Sequence, residues 1–172
     1  MVIIVTGAVG IGKTTVCEKV IKIARSQGHS CGGVITCKTR NGDILIEDIK
    51  TGETRILAST KYIYQGPHTG KYYFSPEGID FGIQAIDRGT IVDILIVDEL
   101  GHLERRGQGF ARVVEKIATG KIKNWILVIR KELLSSFLPR LGVATTVFEA
   151  TPHTRNQLPG KICLALKRTV ME

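Results

Sequence analysis

The chain has 172 residues and a mass of 18.9 kDa, enough for one domain with its own core. Apolar residues make up 43% of it, which excludes disorder of the whole chain, and no apolar run is long enough to read as a membrane span. Lys and Arg number 24 against 16 Asp and Glu, so the net charge is +8 and the isoelectric point about 9.5; that suits an anionic ligand and equally serves solubility.

The order of elements points to an α/β fold. Val2–Val5 is a β-branched run ended by Thr6-Gly7 and reads as a buried strand. No basic segment precedes it and no small-residue cleavage site follows, so it is not read as a signal peptide. Val16, Val20 and Ala24 share a helical stripe, with Glu18, Lys22 and Arg25 opposite, and Gly28 closes this amphipathic helix. Residues 33–58 read differently. Gly33–Thr39, the Asn41-Gly42 turn, Asp43–Ile49, the Thr51-Gly52 turn and Arg55–Ala58 make an antiparallel meander inserted in a single domain spanning 1–172.

Residues 65–76 form a loop around a short Tyr72–Phe74 strand. Ser75 then caps a helix with Pro76 in its first turn, running to about Arg88. Ile91–Val97 is a second buried strand and ends in Asp98-Glu99. Residues 100–109, with Gly101, Gly107 and Gly109, read as a mobile loop. Phe110–Ala118 follows as a helix, Trp125–Ile129 as a strand, Glu132–Leu138 as a short helix stopped by Pro139, and Val143–Phe148 as a strand. Leu158–Lys167 closes the chain as a helix. Strands alternating with helices imply a mainly parallel sheet covered on both faces. Of the four cysteines, Cys17, Cys37 and Cys163 lie in apolar segments and are expected buried. No zinc spacing is present, and a reduced, cytoplasmic setting follows.

Gly7-Ala8-Val9-Gly10-Ile11-Gly12-Lys13-Thr14 fits G-x-x-x-x-G-K-[ST] and lies between a strand and a helix, as a phosphate-binding loop must. Successive N–H groups there form an anion nest backed by the positive end of the helix. Residues 7–15 (Gly7, Ala8, Val9, Gly10, Ile11, Gly12, Lys13, Thr14 and Thr15) are therefore the candidate nucleotide cradle. Lys13 is placed to reach the β- and γ-phosphates and Thr14 to ligate Mg²⁺. Four apolar residues, Ile94–Val97, precede Asp98, whose carboxylate at the carboxyl end of a strand beside the phosphate-loop strand suits Mg²⁺. Glu99 sits where a general base would polarise the attacking water. Arg40, Arg105, Arg130 and Arg155 are the arginines available to meet charge in the transition state, and His102 and Glu104 are candidate supporting groups.

Together these motifs resemble the small P-loop nucleoside-triphosphatase family first described from thermophiles. Gly7–Thr15 is similar to its G-x-P-G-x-G-K-T-T with Val9 in place of Pro. Gly33-Val34-Ile35-Thr36 with Arg40 is similar to G-F-x-T-x-E-x-R with Lys38 in place of the acid. Asp98–Glu104 is similar to D-E-I-G-K-M-E with His102 in place of Lys, and Thr151–Leu158 to T-x-E-N-R-x-x-L with Thr154 in place of Asn. The resemblance implies a RecA-like sheet, a catalytic Glu99, a late Arg155 near the phosphates, and Mg²⁺-dependent hydrolysis of the terminal phosphate of several nucleoside triphosphates. Two other readings stay open. One is a nucleotide or nucleoside kinase, with residues 65–75 as an acceptor lid. The other is a nucleotide-dependent binding switch. The low aromatic content and the lack of any nucleic-acid-binding motif leave nucleic acid outside the expected partners.

Overall fold

The computed structural model describes residues 1–168. Its first strand, β1 (Val2–Gly7), is buried along its whole length, because both of its faces are covered. Val2 and Ile4 enter one apolar cluster, and Ile3 and Val5 the other. The strand extends to Gly7, two residues beyond the apolar run, and so delivers the glycine loop to the sheet's carboxyl edge. α1 (Lys13–Ser26) follows and buries Val16, Cys17, Val20, Ile21 and Ala24.

The meander is present as β2 (Cys31–Lys38), β3 (Asp43–Asp48) and β4 (Thr54–Ser59), paired antiparallel in sequence. Two short strands, β5 (His68–Thr69) and β6 (Tyr72–Phe74), extend it from β4. α2 (Pro76–Arg88) starts as its sequence dictates: the Ser75 hydroxyl accepts from the Gly78 N–H, and Pro76 occupies the first turn.

β7 (Ile94–Leu100) carries the acidic pair. After it come α3 (His102–Arg105), α4 (Val113–Ala118), β8 (Asn124–Arg130), α5 (Leu134–Leu141), β9 (Thr145–Ala150) and α6 (Leu158–Arg168). The sheet order is β5-β6-β4-β3-β2-β7-β8-β1-β9. The pairs β2–β7, β7–β8, β8–β1 and β1–β9 are parallel. α1 and α6 cover one face, while α2, α4 and α5 cover the other. The α/β P-loop architecture with helices on both faces and an antiparallel extension is the one expected.

Four local expectations are corrected. The acidic strand does not lie beside the phosphate-loop strand, since β8 runs between them. Residues 100–109 are not an open loop: they contain α3 and are tied down by buried Glu104. α5 runs through Pro139, which sits in its last turns, and ends at Gly142 in the left-handed region. Cys37 is exposed where Cys17 and Cys163 are buried, because β2 outruns its cover at its carboxyl end.

Candidate functional site

Four elements converge at the carboxyl edge of the central strands. β1 delivers the glycine loop, β7 the acidic pair, β8 Arg130, and α1 the lysine and threonines. In the loop, Gly7 has φ +148°, and a Cβ on it would stand 2.6 Å from the Ala150 carbonyl of β9. Gly12 has φ +104° and passes directly into α1. Any larger residue at either point would deform the cradle. The Lys13 side chain is buried and donates to the carbonyls of Gly7 (3.1 Å) and Ala8 (2.7 Å). Burial lowers its pKa, partly offset by the carboxylates of Glu99 and Asp98.

The Thr14 hydroxyl donates to Asp98 Oδ2 at 2.6 Å, joining residues 84 positions apart. Thr36, at the end of β2, adds its N–H at 3.3 Å and its hydroxyl at 3.5 Å to the same oxygen. Asp98 is 1% exposed. Burial pushes its carboxyl up to about 6, with Glu99 adding to the effect and the bonds from Thr14 and Thr36 opposing it. Asp98 and the Thr14 hydroxyl beside it are the residues that could hold a divalent cation. The described residues hold no cluster of three or more His, Cys, Asp or Glu side chains able to bind a metal.

Glu99 turns differently. The ladder between β7 and β8 pairs Asp98 with Val128 and Leu100 with Ile129, skipping Glu99. Its half-buried carboxylate reaches Arg130 at the end of β8, where Nε donates to Oε1 at 2.6 Å. Lys13, Thr14, Asp98, Glu99 and Arg130 all line one cavity of about 860 Å³.

The remaining sequence candidates separate. Arg155 stands at the outer edge of the glycine loop, its guanidinium donating to the Ile11 carbonyl at 3.3 Å, outside the lining of that cavity. Arg40 is exposed beyond β2. Arg105 and His102 line the cavity from α3. Tyr72 lines it too, whereas Tyr62 and Tyr64 pack on each other at 4.5 Å outside it.

Glu104 is the supporting group with the clearest task. It accepts from the Gly101 N–H at 2.7 Å and the Phe110 N–H at 3.0 Å, closing the segment after the acidic pair. Thr36 on Asp98 escaped the residue list drawn from sequence; Arg130 and Glu104 were on it, but without the partners the structure gives them, Glu99 for the one and the Gly101 and Phe110 N–H groups for the other. Thr36 had a signal in the G-x-x-T segment. For the pairing of Arg130 with Glu99 the sequence held no signal beyond Arg130 ending an apolar strand.

Comparisons with known proteins identify the family and the fold. A family model described as NTPase matches residues 2–163. A nucleoside-triphosphatase THEP1 from Methanosarcina barkeri is 31% identical over 166 residues, covering 93% of this chain and 94% of its own. One from Pyrococcus abyssi is 30% identical, covering 96% and 92%. The crystal structure of THEP1 from Aquifex aeolicus superposes with a TM-score of 0.78 at 23% identity, over 96% of this chain and 99% of that one, which shows the shared fold. The phosphate loop, the acidic pair and these matches make the chain a member of the nucleoside-triphosphatase family, an enzyme of the hydrolase class.

Proposed function

We propose that the chain hydrolyses the terminal phosphate of nucleoside triphosphates, ATP and GTP among them, to the diphosphate and phosphate with Mg²⁺ as cofactor. The observation that carries this reading is the meeting of Thr14 with Asp98 while Glu99 and Arg130 pair beside them in the same cavity. Residues 7–15 hold the phosphate chain by backbone N–H groups and the helix N-terminus. Lys13 exchanges its loop carbonyls for β- and γ-phosphate oxygens. Thr14 and Asp98 hold the cation, which when bound neutralises charge on those oxygens.

Glu99 orients a water in line with the γ-phosphorus and takes its proton. Arg130 positions the Glu99 carboxylate and, lining the same cavity, is the arginine available to meet charge that develops on the γ-phosphate, an effect worth ~10³–10⁵ in rate for arginines that do so. Arg155 supports the cradle from outside through the Ile11 carbonyl. The four cysteines are free and no described helix is long and apolar enough to cross a membrane, which supports a cytoplasmic setting.

The test is phosphate release from ATP, GTP, CTP and UTP with and without Mg²⁺, for wild type and Arg130→Lys. The reading expects release only with the cation. It also expects a drop of about tenfold or more in Arg130→Lys, since an ammonium at the end of a flexible stem does not reproduce the fixed Nε–H donor on Glu99 Oε1. Undiminished release without a divalent cation would overturn it.

A further inference from the structure

The cavity is larger than a triphosphate tail and one cation need. At about 860 Å³ it lies near the upper end of the ~300–1,000 Å³ range of small-molecule sites. Its phosphate end is formed by the glycine loop and the acidic pair. Its other end is built by the end of β2, the β5–β6 hairpin and α3. With the triphosphate in the glycine loop, the ribose and base of the same nucleotide have this end to fill.

The chemistry of that end is one-sided. Tyr72, half-buried on β6, lines it with an aromatic ring. Lys38 at the end of β2 and Lys71 in the hairpin hold their ammonium groups over that ring, at 5.9 and 5.6 Å from its centroid. A base stacked on the ring lies about 3.5–4 Å from it, which brings its edge within reach of these exposed, flexible side chains. Arg105 adds a third exposed donor from α3. None of the three can accept a hydrogen bond. The carboxylates in the lining are committed elsewhere. Asp98 takes Thr14 and Thr36, Glu99 takes Arg130, and Glu104 takes two backbone N–H groups. The fourth, Glu18, stands on α1 and not on the elements that build this end. Among the described residues that line the cavity there is no Asn or Gln.

We propose that this end holds the substrate's base, and that its donors select bases with a carbonyl on the edge they meet. The proposal deepens, and rests on, the reading that residues 7–15 hold the triphosphate. Guanine offers O6 and N7 and uracil offers O4, all acceptors, whereas adenine and cytosine place an amino donor, N6 or N4, at the same point of the edge. An ammonium facing a keto oxygen makes a charge-assisted hydrogen bond. Facing an amino group it makes none, and the water lost by both groups is not replaced. GTP and UTP are therefore preferred to ATP and CTP. Tyr72 serves all four alike, because every base has a face that stacks.

The experiment measures kcat/KM for phosphate release from GTP, ITP, UTP, ATP and CTP with Mg²⁺, and calorimetric Kd values for GDP, UDP, ADP and CDP. The proteins are wild type, Lys38→Ala/Lys71→Ala, Tyr72→Phe and Tyr72→Ala. The expected result is a preference of about tenfold for GTP and UTP over ATP and CTP, the scale of one charge-assisted bond to a base edge. ITP, which keeps O6 and N7 and lacks the 2-amino group, ranks with GTP. In the double lysine variant the ratio of GTP to ATP falls toward one. Tyr72→Ala raises KM for every nucleotide by about tenfold with little change in kcat, and Tyr72→Phe keeps the wild-type KM. Equal kcat/KM for all five nucleotides, or a preference for ATP and CTP, overturns the base subsite and leaves the hydrolytic reading standing. So does a preference that the double lysine variant retains in full. No release from any nucleotide, with GDP and UDP still bound more tightly than ADP and CDP, overturns the hydrolytic reading and supports the subsite. No binding of any diphosphate overturns both.

Discussion

Replacing Glu104 by Gln tests whether the segment after the acidic pair is held by a carboxylate or only by packing. In the wild type each carboxylate oxygen takes one backbone donor, Gly101 N–H on Oε2 and Phe110 N–H on Oε1, in a setting only 5% exposed. Gln keeps one oxygen and turns an amine toward the other donor. One charge-assisted bond is lost and one buried N–H is left without an acceptor, a cost of about 1–3 kcal/mol. Burial raises the Glu104 pKa, so a neutral side chain recovers part of that cost, and the net loss is about 1–2 kcal/mol.

For a chain of this size each kcal/mol lowers the melting midpoint by about 2–4 °C, so Glu104→Gln falls by roughly 2–8 °C. Glu104→Ala strands both donors, about 2–6 kcal/mol, and falls further. Thermal unfolding by circular dichroism gives the midpoints, and hydrogen exchange at Gly101 and Phe110 gives the local loss of protection. A Gln variant as stable as wild type, with both amides still protected, would refute the clamp.

Three further outcomes are expected. Lys13→Ala abolishes turnover and weakens nucleotide affinity in calorimetric titration, because it removes the cation for the β- and γ-phosphates; normal turnover would contradict the cradle. Asp98→Asn loses turnover yet raises the melting temperature of the ligand-free protein at pH 7.5. A carboxyl raised to about 6 in the fold, against about 3.9 in the unfolded chain, favours the unfolded state by up to ~3 kcal/mol where it is ionised. The folded state binds the proton more tightly, so this penalty shrinks as pH falls through 6 toward 4, and melting curves of the two proteins should converge over that window. Ser75→Ala removes the cap on the Gly78 N–H and costs about 1 kcal/mol, a drop of roughly 2–4 °C in the midpoint, while phosphate release at moderate temperature is unchanged.

Most of the strands and helices were legible because each had a local cause. β1 was marked by a β-branched run, α2 by its cap and proline, and the β2–β3 hairpin by Asn41-Gly42. The phosphate loop was legible because its chemistry is carried by contiguous backbone. What sequence could not place were contacts across the sheet. β8 enters between β1 and β7 by tertiary choice, and nothing in Trp125–Ile129 states its neighbours. That insertion is what brings Arg130 to Glu99. Three glycines made residues 100–109 read as mobile. Glu104 orders them by satisfying two donors at once, an effect visible only when both ends are in place. Cys37 was misread for a similar reason: its strand is apolar, but cover ends before the strand does.

The central claim is that Glu99 activates water against a γ-phosphate fixed by Lys13, Thr14 and Asp98. Its most direct test is phosphate release from ATP, GTP, CTP and UTP with Mg²⁺ and no acceptor, for wild type and Glu99→Gln side by side, with nucleotide affinity measured on both. The account predicts equal affinity and a loss of about 10²-fold or more in kcat, the contribution of a positioned base. A Glu99→Gln kcat equal to wild type would contradict it.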